Sequence, residues 1–139
     1  MFVCLGFVQG EDDSFWSHEW LKHGTCAMEG GAPGMGSEFD FFNTTLTIWT
    51  NLDIMRTLKA SNIVPSNDQT YKVSDMVDAL KSKFGYAPVF GCSDEKINTL
   101  AICFSKDLKL DECPSDLYGC DADSYVKLPS SSYSVKSRV

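Results

Sequence analysis

Histidine is scarce in this 139-residue chain: there are two, set against 12 Lys and Arg and 19 Asp and Glu, for a formal net charge of −7. The shortage of cations argues against a protein that coats nucleic acid without selectivity, because that mode neutralises many phosphates at once. It leaves room for an enzyme that grips one phosphate locally. No apolar run nears the roughly 20 residues that cross a bilayer, so a soluble protein without a membrane partner is expected. There is no C-x-x-C pair of the kind that builds zinc or thioredoxin-like sites. No repeat, linker or charge run divides the chain, so residues 1–139 read as one domain, with 130–139 as a frayed tail. The opening MFVCLGFVQG lacks the basic start and small-residue cleavage site of a leader and reads as mature sequence.

What is plentiful points to a packed fold. An apolar fraction of 43% with nine Phe excludes bulk disorder. A chain of this size buries roughly two thirds of its unfolded surface, enough for a core without metal or oligomer. Six cysteines (Cys4, Cys26, Cys92, Cys103, Cys113 and Cys120) are too many for idle packing. They imply structural disulfides and an oxidising compartment, with a stapled region between residues 92 and 120.

Local patterns assign the elements. In SFWSHEWLKHGTCA, helix formers follow Ser17, a candidate N-cap, and stop at Gly24, which predicts a short helix ending in a turn. The glycine-rich residues 28–37 read as a loop. Apolar residues at 39, 42, 46 and 49, then at 52, 55 and 58, recur at helical spacing and predict two helices. Residues 74–84 predict a further helix, capped by Ser74, with Asp75 and Asp78 in its first turn and Gly85 at its end. Beyond Tyr86 the segments YAPVFGC, NTLAICFS, KDLKLDEC and SYVKLP read as strands.

Chemistry concentrates in HEWLKHGTC, residues 18–26. On an α-helix Glu19, Lys22 and His23 share a face, and His18 lies one turn before Lys22. A group that moves protons near neutral pH, a cation for phosphate and a carboxylate to orient an imidazole would then converge. Three other readings compete. A zinc protease needs histidines at i and i+4, whereas these stand at i and i+5 with Lys at position 22, so H-E-x-x-H fails. A Cys–His nucleophile from Cys26 and His23 is a second, with Cys26 otherwise half of a disulfide. An ordinary amphipathic helix with solvated charges is the third. Against that last reading, both histidines of the chain lie five residues apart beside a Glu and a Lys.

The string H-E-W-x-K-H-G-T-C resembles the second active-site segment of the ribonuclease T2 family, secreted acid ribonucleases that include plant S-like and self-incompatibility enzymes. KFGYAPVFGC, LAICFS, the cysteine before Pro114 and Cys120 followed by VKLP agree in order and spacing, so the resemblance runs from about Cys4 to Pro129. It implies an α+β fold with helices packed on an antiparallel sheet, and metal-free, cofactor-free endonucleolytic cleavage of single-stranded RNA by a monomer through a 2′,3′-cyclic phosphate. It implies that His23 takes the 2′-hydroxyl proton, that Glu19 and Lys22 polarise the phosphate or stabilise its extra negative charge, and that His18 binds it. Phe15 matches a base-stacking aromatic; the alternative is a core ring beside Trp16. The family pattern also implies Cys92–Cys120 around Cys103–Cys113, with Cys4 and Cys26 left as free thiols or joined to each other. Asn43-Thr44-Thr45 is a sequon for a glycoprotein of the secretory pathway, extracellular or vacuolar. Members also carry an upstream segment resembling I-H-G-L-W-P, whose histidine is the partner acid. No such string occurs here, which implies that the early part of the fold is missing and raises an inactive or merely RNA-binding relative as the alternative function.

Overall fold

Two adjacent helices share the longest apolar stretch. α3 (Glu38–Leu52) starts where the Ser37 hydroxyl accepts from the Asp40 amide at 3.2 Å and donates to the Asp40 carboxylate at 2.7 Å. The first of these bonds satisfies one of the amides the first turn leaves bare, and the second fixes the hydroxyl that accepts it. α3 stops at Asp53, which turns left-handed at φ 47° and leads directly into α4 (Ile54–Ala60). The expected helix pair is therefore present, but its inward face differs. Phe39, Leu46 and Met55 are exposed, whereas Phe41, Thr45, Ile54 and Leu58 are buried. Two overlapping apolar stripes run along this segment, and only packing partners choose between them.

The computed structural model describes residues 4–6, 12–115, 117 and 119–130. The expected tail therefore lies outside the described residues, apart from Ser130. A helical run begins with α1 (Asp12–Glu19), passes through a π turn (Trp20–Gly24) and ends in α2 (Thr25–Glu29). This corrects the short helix from Ser17 to Gly24. Ser17 lies inside α1, and Gly24 keeps right-handed helical angles (φ −65°, ψ −44°), so it does not break the chain.

α5 (Val73–Phe84) begins one residue before the expected cap. Ser74 is not the N-cap, because backbone carbonyls already serve the first amides: Val73 N–H donates to Ser124 O and Ser74 N–H to Ala122 O. Lys72 closes the same corner through an ion pair with Asp123 at 2.8 Å. Gly85 ends the helix at φ 82°, a conformation that suits a residue without Cβ.

The sheet joins β1 (Cys4–Gly6), β2 (Thr70–Lys72), β3 (Val89–Ser93), β4 (Lys96–Ala101) and β5 (Tyr125–Lys127) in the path β1-β4-β5-β2, with β3 also paired to β4. It is mixed, not wholly antiparallel: β4 and β5 run parallel, meeting at Lys96 and Lys127. The chain between them is long enough for the crossover that parallel neighbours require. KDLKLDEC forms no strand of its own. Only a bridge from Phe104 to Leu110 survives, because Leu108 turns left-handed and the Cys103–Cys113 disulfide folds the segment back on itself. That disulfide nests inside Cys92–Cys120, with sequence separations of 10 and 28. In the chain-entropy account each stabilises by roughly 3 kcal/mol.

Two apolar cores result. The larger packs α4 and α5 on the sheet through Leu58, Met76, Leu80, Phe90 and Val126. The smaller gathers Ala27, Ala32, Met35 and Phe41, with Trp20 against them, beneath the π turn. No helix of the described residues is long and apolar enough to cross a membrane. Leu80→Ala, at a fully buried site, is expected to cost about 2–5 kcal/mol in urea unfolding. Phe39→Ala on the exposed face should stay within about 0.5 kcal/mol.

Candidate active site

The π turn decides which side chains meet. In an α-helix of 3.6 residues per turn, positions five apart point about 140° away from each other. A π turn closes its hydrogen bonds from i+5 to i and brings such positions back together. Here the Thr25 amide donates to the Trp20 carbonyl. The Thr25 hydroxyl donates to Leu21 O at 3.1 Å, the carbonyl that its own amide would serve in an α-turn.

Packing holds the widened turn. Gly24 is buried where a Cβ would stand 2.1 Å from Trp20 Cε3 and 3.1 Å from Phe41 Cδ1. Trp20 fills that space and lies 6.0 Å, centroid to centroid, from Phe41 of the smaller core. A ladder of rings continues outward. Phe41 meets Phe42 at 5.1 Å, Phe42 meets Trp16 at 4.8 Å, and Trp16 meets Phe15 at 5.2 Å, all edge to face, an arrangement aromatic quadrupoles favour. Phe15 is therefore a half-buried ring at the outer end of this ladder, beside Trp16.

Of the expected residues, His18, Glu19 and His23 come together. Their donor atoms all lie within 4.8 Å of one another. The His18 and His23 rings are 6.4 Å apart, and His23 Nε2 stands 4.0 Å from Glu19 Oε2. Glu19 is the most sheltered of the three, its side chain 21% exposed against 41% for His23. Lys22 is exposed on the same run. The chemistry available is a proton acceptor with a carboxylate at its side, a second imidazole across from it and a mobile cation nearby. The site is open, so each group keeps contact with water.

Other candidates sit apart. Cys26 is a free, exposed thiol on α2, and the side chain of Cys4 lies outside the described residues. Asn43 is exposed on α3, while Thr45 of its sequon is buried with no hydrogen-bond partner for its hydroxyl. The sequence reading missed the π turn itself. Its signal was present in the five-residue spacing of the only two histidines and in Gly24 placed four residues after Trp20.

Residues 5–113 match the ribonuclease T2 family model. Ribonuclease DdI of Dictyostelium discoideum is 36% identical over 124 residues, covering 88% of this chain and 54% of that protein. Among solved structures, an RNase-related protein from Calystegia sepium superposes with a TM-score of 0.73 at 34% identity, covering 91% of this chain and 60% of that one. RNase NT, solved in complex with 5′-AMP, gives 0.69 at 27% identity, with 84% and 57% covered. The chain spans about half the length of the curated relatives it matches.

Gly24→Ala tests the packing of the turn. The new methyl must displace Trp20, so a loss of about 1–3 kcal/mol, the usual range for overpacking, is expected in thermal unfolding. A changed tryptophan signal in near-UV circular dichroism should accompany it.

Proposed function

The chain belongs to the ribonuclease T2 family, and from that premise we propose that its 18–23 cluster is an active-site segment for metal-independent endonucleolytic cleavage of single-stranded RNA. His23 accepts the ribose 2′-hydroxyl proton, the freed O2′ attacks phosphorus in line, and the bond from phosphorus to O5′ breaks as O5′ takes a proton from a partner acid of the upstream family segment. The product is a 2′,3′-cyclic phosphate. Glu19 orients the imidazole, and the Lys22 ammonium steadies the negative charge that builds on the phosphorane. His18 holds a phosphate oxygen, and Phe15 offers a ring for base stacking. The observation that carries this reading is the convergence of two imidazoles and a carboxylate within 4.8 Å on one helical face. A relative solved with 5′-AMP supports a nucleotide-shaped substrate. The reading places a monomer in the secretory pathway, where disulfides such as Cys92–Cys120 and Cys103–Cys113 form.

For these 139 residues taken alone, a second reading is impaired catalysis with residual RNA binding, since they hold no I-H-G-L-W-P-like string to supply a partner acid. The leaving O5′ would then draw its proton from water. One positioned acid or base contributes typically 10²–10⁴-fold. The isolated 139-residue chain is therefore expected to cleave RNA at least about a hundredfold more slowly than a complete relative. Supplying a family N-terminal segment, fused or separate, should restore cyclic-phosphate product, and His23→Ala should then abolish it. Full-strength cleavage by the bare chain, or restored cleavage indifferent to His23→Ala, contradicts the assignment.

A further inference from the structure

Asn43-Thr44-Thr45, on α3, is a motif that RNA cleavage leaves unused. We propose that Asn43 is N-glycosylated and that the first sugars of its glycan cover the exposed apolar edge of α3. Of the five asparagines in the chain, only Asn43 is followed two residues on by Ser or Thr. Asn43 is exposed, as the acceptor of a bulky group must be.

Thr45 supplies a second, independent observation. It is 5% exposed, and its hydroxyl has no hydrogen-bond partner among the described residues. Every other threonine on a described helix donates its hydroxyl to a carbonyl: Thr25, Thr47, Thr50 and Thr57 to the residue four back, and Thr44 to Gly34. A buried hydroxyl left unpaired destabilises a fold, and valine has the same shape without that cost. The folded protein therefore gives this hydroxyl no use, whereas the sequon requires it. On α3 the side chains of Asn43 and Thr45 point about 160° apart, so a helix does not offer them together. In an extended chain residues i and i+2 share a face. Transfer thus precedes α3. The Asn43 amide nitrogen bonds to the anomeric carbon of an oligosaccharide diphosphate donor, the bond from that carbon to the diphosphate oxygen breaks, and the diphosphate leaves with the amide proton.

Once formed, the helix decides where the sugar lies. Phe39, Asn43, Leu46 and Thr50 follow one another at spacings of four, three and four, which places them on one stripe of α3. Phe39 is 75% exposed and Leu46 52%, and an open groove on this side is lined by Asn43, Leu46, Thr47, Thr50 and Asn51. A pyranose brings an apolar face of C–H bonds to the phenyl ring and the leucine, and hydroxyls to the threonines and Asn51.

The test is expression of the full chain behind a secretory leader in eukaryotic cells, followed by mass spectrometry of the peptide that holds Asn43. That peptide should carry one N-linked glycan, which Thr45→Val should lose and Thr45→Ser should keep in part. Made without glycan in a bacterial periplasm, Thr45→Val should unfold no lower than the parent chain and up to about 4 °C higher. The secreted chain should also bind an apolar fluorescent dye less than secreted Asn43→Gln does, and Phe39→Ser with Leu46→Ser in one chain should remove that difference. An unmodified Asn43, a Thr45→Val midpoint below the parent's, or equal dye binding with and without the glycan overturns the proposal. It rests on the secretory route of the ribonuclease reading and on no cleavage step. The added leader supplies that route, so the failure of one is separable from the failure of the other.

Discussion

A backbone hydrogen bond from the Thr25 amide to the carbonyl of Trp20, five residues back instead of four, sets the position of every group in the candidate site. A π turn is inferior in geometry to an α-turn and is rare except at functional positions. It persists here because the surroundings reward it. The Thr25 hydroxyl serves the Leu21 carbonyl, Gly24 leaves room for the Trp20 ring, and that ring packs toward Phe41. Small residue, large ring and hydroxyl act on one turn, and the outcome is a His–Glu–His face that an ideal helix would not present.

Beneath the turn, division of the core into two clusters separates support from chemistry. The larger cluster and the nested disulfides fix the sheet with α4 and α5. The smaller cluster of Ala27, Ala32, Met35 and Phe41 has one evident task, holding the helical run that bears His18 to His23. α3 links the two, contributing Phe41 to the smaller core while its partly buried Ile48, Trp49 and Leu52 lie against the larger.

Much of this was legible in the sequence, and the failures have physical causes. The α3–α4 pair, the end of α5 at Gly85 and the strand character of residues 89–101 follow from periodicity and turn residues. The inward face of α3 did not follow, because the segment is apolar on more than one side. Ser74 failed as a cap because distant backbone from residues 122–124 serves those amides, a contact no local pattern encodes. KDLKLDEC alternates as a strand should, yet a disulfide and a left-handed Leu108 bend it into a loop. For the site, residue types and spacing identified His18, Glu19, Lys22 and His23 as chemistry-bearing. Which of them touch depended on a helical register that propensity does not distinguish from an ordinary α-helix.

The register is directly measurable. In a chain labelled with 15N and 13C, through-hydrogen-bond scalar couplings report which carbonyl each amide donates to. The account predicts a coupling between the Thr25 amide nitrogen and the Trp20 carbonyl carbon, together with cross-relaxation between the His18 and His23 rings. A coupling from Thr25 to the Leu21 carbonyl carbon instead, with no contact between the rings, would show an ordinary α-helix and contradict the assembly of the site.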